Sequence, residues 1–298
     1  ERGDFQQPAP NPPYFFADYA AEMVANRIQV DFQNIFTPVE RHKFLAGGTF
    51  EASDADYTDS YTAFDRTIEI WSGYVQYEFA PCERATLTAG GRVDDSSSFG
   101  THGTYRFGGR VTAPRAETIF RASVGTGFRA PSIQQLYFPF SGNPNLQPEE
   151  SFGWDAGFEQ PLADGKVRFG ATFFHNDFDN LINGFPPVNV AQARTLGVET
   201  FAAWSPCTNL TFRAAYTWLD AVDLATDLRL TRRPEHRGSV GLTWQILPQL
   251  TATANALFVG ERADDDFSTF PSARVTVPGY TKFDLGLRWQ ATKNLEIY

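Results

Sequence analysis

Residues 125–151 read GTGFRAPSIQQLYFPFSGNPNLQPEES, a stretch punctuated by Pro131, Pro139, Pro144 and Pro148 and flanked on both sides by alternating sequence. Phe120, Ala122 and Val124 alternate with Arg121 and Ser123 before it. Phe152, Trp154, Ala156 and Phe158 alternate with Gly153, Asp155, Gly157 and Glu159 after it. A period of two places one class of side chain on each face of a strand, so both flanks read as strands. A loop of more than about 15 residues without regular structure is uncommon in a compact domain unless it has a task. Its prolines hold it extended, and its aromatics Tyr137, Phe138 and Phe140 either pack locally or face something outside.

Outward from this loop the chain reads as hairpin after hairpin. Val240, Leu242, Trp244 and Ile246 alternate with polar neighbours, as do Phe283, Leu285, Leu287 and Trp289 near the end. Ala163-Asp164-Gly165 has hairpin-turn chemistry. Polar segments at 52–65, 94–103, 179–192, 220–235 and 261–278 read as long loops that strictly alternate with short turns. In an antiparallel meander every second connection falls on the same rim, so the pattern predicts one rim of turns and one of loops. Outer-membrane barrels have this asymmetry, and Greek-key sandwiches have no reason for it. The expectation is an all-β, antiparallel, up-and-down transmembrane β-barrel with about thirteen strands plus a partial one, each near the roughly 9–11 residues a tilted strand needs to cross a bilayer.

Composition agrees. The 298 residues are 42% hydrophobic and 15% aromatic, yet mean hydropathy is -0.33, as expected where lipid-facing and lumen-facing residues alternate. No apolar run reaches the length of a membrane helix. The net charge of -10 argues against a nucleic-acid partner. Cys82 and Cys207 lie in short turns far apart in sequence, and their spacing assigns neither a disulfide nor a zinc site. The opening ERGDFQQPAPNPP reads as a loop, and NLEIY ends within a strand, so the chain reads as a fragment.

No catalytic pattern stands out. His42, His102, His175 and His236 are dispersed, no nucleophile elbow is present, and Gly125-Thr126-Gly127 lacks the Lys-Ser/Thr of a phosphate loop. The reading is therefore not an enzyme. Asp54, Asp56 and Asp59, Asp94 and Asp95, and Asp264 to Asp266 cluster in polar segments but lack calcium-loop spacing, and they read as solvated loop tips rather than a metal site.

GTGFRAPSIQQLY followed by GNPNLQPEES resembles the mid-barrel signature of TonB-dependent outer-membrane receptors. DDSSSFGTHGTYR, LTRRPEHR and DDDFSTFPSARVTVPG, in that order, make the chain most similar to the cobalamin (vitamin B12) receptors. The resemblance implies that residues 1–298 are the C-terminal portion of a barrel of 22 strands, about 13–14 of which are here. The plug domain, the early strands and the last strand would lie outside it, and the open sheet edges imply that this portion is neither stable nor active by itself. It also implies a Gram-negative outer-membrane location, cobalamin or another corrinoid as ligand, lipid around the barrel, and TonB as a partner through the plug. Calcium, bound by receptors of this kind, would belong to loops outside this chain; no cofactor is expected within it. Arg232 aligns with a substrate-contacting arginine, although a surface pair with Asp227 or Glu235 is equally open to it. Phe267 stands where those receptors have a ligand-contacting tyrosine, keeping the ring and losing the hydroxyl. Tyr137, Phe138 and Phe140 face either a large ring ligand or the membrane as girdle residues. The rival readings are a ferric-siderophore or haem receptor of the same architecture, a passive porin, and a soluble β-sandwich.

Overall fold

The computed structural model describes residues 2–7, 19–268 and 271–298. In chain order the elements are β1 (Arg2–Gln7), β2 (Tyr19–Val39), β3 (His42–Asp59), β4 (Ala63–Cys82), β5 (Ala85–Ser96), β6 (Gly100–Thr112), β7 (Ile119–Arg129), α1 (Ile133–Tyr137), β8 (Glu149–Leu162), β9 (Val167–Asn183), β10 (Val188–Cys207), β11 (Leu210–Asp223), β12 (Leu228–Arg229), β13 (His236–Leu247), β14 (Leu250–Val259), β15 (Arg262–Asp266), β16 (Ala273–Val277), β17 (Tyr280–Thr292) and β18 (Leu295–Ile297). Among the described residues sixteen strands form one sheet whose order in space follows the chain. Strand β12 pairs beside the path with β11, and β15–β16 stand apart as a two-stranded hairpin. Every pairing is antiparallel and joins strands consecutive along that path, so among the described residues the Greek-key crossings of a sandwich are excluded.

The period-two reading sorts the two faces. Paired residues sit side by side on one face, and one such row runs Phe169, Ala202, Ala214, Val240, Ala256, Phe283 across β9–β11, β13, β14 and β17. The adjoining row Arg213, Gly241, Asn255, Asp284 is on the opposite face. Large apolar side chains of the first face, among them Val240, Phe283 and Leu285, lie exposed. Apolar residues outside and polar ones inside are the arrangement of a membrane barrel wall. Aromatic rings collect towards the short-turn rim of the outer face: Phe36 on Phe44 at 5.2 Å, Phe44 on Tyr77 at 4.7 Å and Trp204 on Phe212 at 5.2 Å. They form the girdle expected at a lipid–water boundary.

The expected loops contain strand: 220–235 holds β12 and 261–278 the separate β15–β16 hairpin, and the other three extend the main sheet. Residues 52–65, 94–103 and 179–192 continue the ladders of β3–β4, β5–β6 and β9–β10, closed by tight turns. The first turn is held by Asp59 Oδ1, which accepts the amides of Tyr61 and Thr62 at 2.7 Å each. Strands therefore reach 21 residues in β2 and 20 in β4 and β10, about twice the bilayer-crossing length. The physical reason is that a ladder needs only a neighbouring strand. Above the lipid both faces are wet, polar residues occupy both, and the alternation that reveals a strand disappears. Residues 2–7, read as loop, likewise pair as β1 with β2. At the other rim the Ala163-Asp164-Gly165 turn forms as expected, with positive φ at all three residues.

The aspartates are not solvated tips throughout. Asp94 is buried on the inner face, where Ser72 Oγ donates to it at 2.6 Å and Arg92 Nη2 lies 2.8 Å away. Among the described residues no three His, Cys, Asp or Glu side chains gather around a possible metal position. Cys82 and Cys207 are free and exposed.

Candidate functional site

The loop within the 125–151 stretch is shorter than that stretch and folds inward. Residues 125–129 remain in β7, and the connection proper is 130–148. Ser132 caps α1: its Oγ accepts the Gln135 amide at 3.1 Å while Gln135 Oε1 accepts the Ser132 amide at 2.9 Å. This capping box was legible as Ser-x-x-Gln and starts a helix where only loop was expected. Leu136 and Leu146, 2% and 1% exposed, pack on Ile68 of β4, with Ile70, Ile133, Tyr137 and Ile182 around them. Ile68 and Ile70 alternate with Trp71, Gly73 and Val75 of the outer face, so this cluster lies on the inner, lumenal side. A cleft of about 620 Å³ separates the start of α1 from β2–β4, lined by Arg27, Glu51, Ser53, Ile70, Pro131 and Gln134.

Of the three loop aromatics, two are not girdle residues. Tyr137 joins the inner cluster with the Arg66 guanidinium 5.3 Å from its ring centre, and Phe138 packs at 5.2 Å on Tyr57 of the inner face. Burial against β3 and β4 gains more than an interfacial position on the far side of the wall. Phe140 is different: its ring is 90% exposed and its φ is 63°. A left-handed backbone is costly for a bulky residue, and it persists here because the surrounding loop is fixed. The amides of Ser141 and Gly142 both donate to Phe138 O, and Ser141 is buried directly after the exposed ring.

Arg232 and Phe267 belong to a second group at the same rim. Arg232 pairs with neither Asp227 nor Glu235: its Nε donates to Asp264 Oδ1 at 3.0 Å and its backbone amide to Ala263 O at 2.7 Å. Glu235 is taken by Arg229 at 2.6 Å. Arg232 thus docks the β15–β16 hairpin on the β11–β13 connection, with its side chain still 65% exposed. Phe267 stands 74% exposed in the turn of that hairpin. The five residues singled out in the sequence therefore form two groups, one on the inward loop and one on the docked hairpin.

The Arg232 hydrogen bond holds the Asp264 carboxyl below its ordinary range, and Arg229 does the same for Glu235. A depressed folded-state pKa gives a contribution fully present above the ordinary carboxylate value of about 4 and lost as pH falls below it. Hydrogen exchange in 262–277 is expected to accelerate between pH 5 and pH 3 relative to the barrel strands, beyond the intrinsic pH effect. Arg232→Gln should remove most of that difference. Equal acceleration in wild type and variant would show that the pair does not dock the hairpin.

A family model described as TonB dependent receptor-like, beta-barrel matches residues 3–298. Among solved structures, the copper transporter OprC superposes with a TM-score of 0.82 at 14% identity, over 99% of this chain and 54% of that one. The ferric enterobactin receptor PfeA of Pseudomonas aeruginosa gives 0.73 at 16% identity over 94% and 47%. The pyoverdine receptor FpvA of P. aeruginosa gives 0.73 at 17% over 94% and 44%. The chain spans about half the length of these structures, and at such identities the likeness is one of fold.

Proposed function

Because the chain belongs to the TonB-dependent receptor-like β-barrel family, whose barrels lie in the outer membrane of Gram-negative bacteria, we propose that it supplies the wall and capture rim of a receptor for a bulky, ring-bearing ligand. The observation that carries this is Phe140, a bare aromatic ring held in a costly backbone conformation on a loop anchored to the lumenal wall through the buried Leu136 and Leu146. Phe267 offers a second exposed ring at the same rim, and Arg232 a guanidinium. No bond need be made or broken: aromatic faces and donors bind, and the lumen conducts. Energy coupling falls to TonB acting on a plug domain elsewhere in the receptor.

The ligand we propose is cobalamin or a related corrinoid, supported by the run of matching segments through LTRRPEHR and DDDFSTFPSARVTVPG. A ferric siderophore is the second reading, favoured by the solved relatives named for enterobactin and pyoverdine. Equilibrium binding of cyanocobalamin and of ferric enterobactin to the intact receptor decides between them. Phe140→Ala is expected to weaken binding of the true ligand by about 10- to 100-fold, the worth of one buried aromatic contact. Binding of neither compound would discard both ligands. Binding indifferent to Phe140 would remove this residue from the site.

A further inference from the structure

The loop that carries Phe140 is fastened at its two ends and to a neighbouring hairpin through one carboxylate. Arg129, the last residue of β7, and Glu149, the first of β8, are opposite each other on the final rung before the loop. Arg129 Nε donates to Glu149 Oε2 at 2.5 Å and Nη2 to Oε1 at 2.7 Å. Glu149 Oε1 also accepts the backbone amide of Ile182 at 2.8 Å, and Ile182 packs on the Leu136–Leu146 cluster. The Glu149 side chain is 13% exposed.

A second bracket lies alongside. Asn189 Oδ1 accepts the Gln147 amide at 2.8 Å, and its Nδ2 donates to Gln147 O at 2.9 Å and Asn180 O at 2.7 Å. Asn143 Nδ2 donates to Pro187 O at 3.0 Å. Loop 130–148 and the tip of the β9–β10 hairpin are thereby joined by side-chain to backbone bonds along their shared length. The Glu149 carboxylate and the Asn189 amide are spent on these internal bonds.

We propose that Glu149 is a positioning residue for ligand capture: its carboxylate locks the loop to the β9–β10 hairpin, so that Phe140 is presented by a rigid body rather than a flexible lid. This rests on the reading of Phe140 as a ligand contact. Only a carboxylate meets all three bonds. An amide at 149 still accepts the Ile182 N–H but turns a donor towards Arg129. Exchanging the two charges across the rung restores an ion pair but offers Ile182 no acceptor, because a guanidinium at 149 only donates.

The test uses the full receptor in detergent and in outer membranes. Without ligand, Glu149→Gln and Asn189→Ala are each expected to raise hydrogen exchange in 133–147 and 180–189 at least about tenfold, with the barrel strands unchanged. The double variant combining Arg129→Glu with Glu149→Arg should fail to restore protection. Unchanged exchange in both single variants, or full rescue by the swap, would overturn the lock. Binding is then measured with whichever of cyanocobalamin and ferric enterobactin the wild type takes. Weaker apparent affinity in Glu149→Gln with maximal uptake retained supports positioning, whereas unchanged affinity in a loosened loop overturns it. If the wild type takes neither compound, the ligand reading has failed, and the exchange measurement decides the lock independently.

Discussion

Gly197→Val is expected to leave most of the receptor unassembled. Gly197 lies on the inner face of β10, and a Cβ there would run into Trp218 O on β11 and come within 2.7 Å of the Phe174 ring on β9. The ring lies across the glycine and fills the place of its absent side chain. Four rungs along the same pair of strands, Gly170 holds the Phe201 ring in the same way, its own Cβ position 2.7 Å from that ring. A valine must therefore displace an aromatic side chain and also push apart a hydrogen-bonded pair of strands. Overpacking alone costs roughly 1–3 kcal/mol, and backbone displacement puts this case at the top of that range or above it. The readout is the fraction of protein with heat-modifiable migration in detergent gels, together with its thermal midpoint. Gly73→Ala, where the new methyl meets nothing within 4 Å, is the matched control. A Gly197 variant that assembles as fully as this control would show that the ring-on-glycine packing is dispensable.

The next largest effect separates two adjacent residues. Val240→Arg puts a guanidinium on the lipid face midway along β13, between Ala214 and Ala256, and is expected to destabilise the folded barrel by about 2–4 kcal/mol. Ser239→Arg, one position earlier and on the inner face with Ala215 and Leu257, should cost less than about 1 kcal/mol, since the lumen is wet. Reversible unfolding in lipid bilayers measures both. Equal costs, or a reversed order, would contradict the assignment of faces and with it the membrane reading of the wall.

That assignment was legible because lipid imposes chemistry on every second residue. The face that Val240, Leu242 and Trp244 share could be anticipated from alternation alone, and so could the antiparallel order and the rim of short turns, whereas the row joining Ala214, Val240 and Ala256 needed the register. The signal failed where lipid stopped. In residues 52–59, serine, aspartate, tyrosine and threonine occupy both faces, and nothing local distinguishes a wet strand from a loop. The inward fold of 130–148 had partial signals: the Ser132–Gln135 capping box, the apolar run of Ile133, Leu136, Tyr137 and Phe138, and Leu146 as an isolated aliphatic between polar neighbours. What they would pack against was unreadable, because Ile68 lies more than sixty positions earlier. For Arg232 the sequence left open a ligand contact and a pair with Asp227 or Glu235, and the carboxylate it meets, Asp264, came from a different connection, brought close by the register of β11, β13 and β14. Arg129 and Glu149 close the loop across a rung that appears only once β7 and β8 are aligned.

The length of β2 has a consequence in plain trigonometry. Its 21 residues at about 3.3 Å each span some 70 Å. A tilt of about 40° leaves roughly 53 Å along the barrel axis, against a hydrocarbon core of about 30 Å. The large apolar residues of its outer face, Ile28, Val30, Phe32 and Phe36, lie towards the short-turn end, so the surplus of about 20 Å rises on the other side as a parapet formed with β3 and β4. The turn at 60–62 crowns it. Whatever approaches from outside meets that parapet before it meets the lipid.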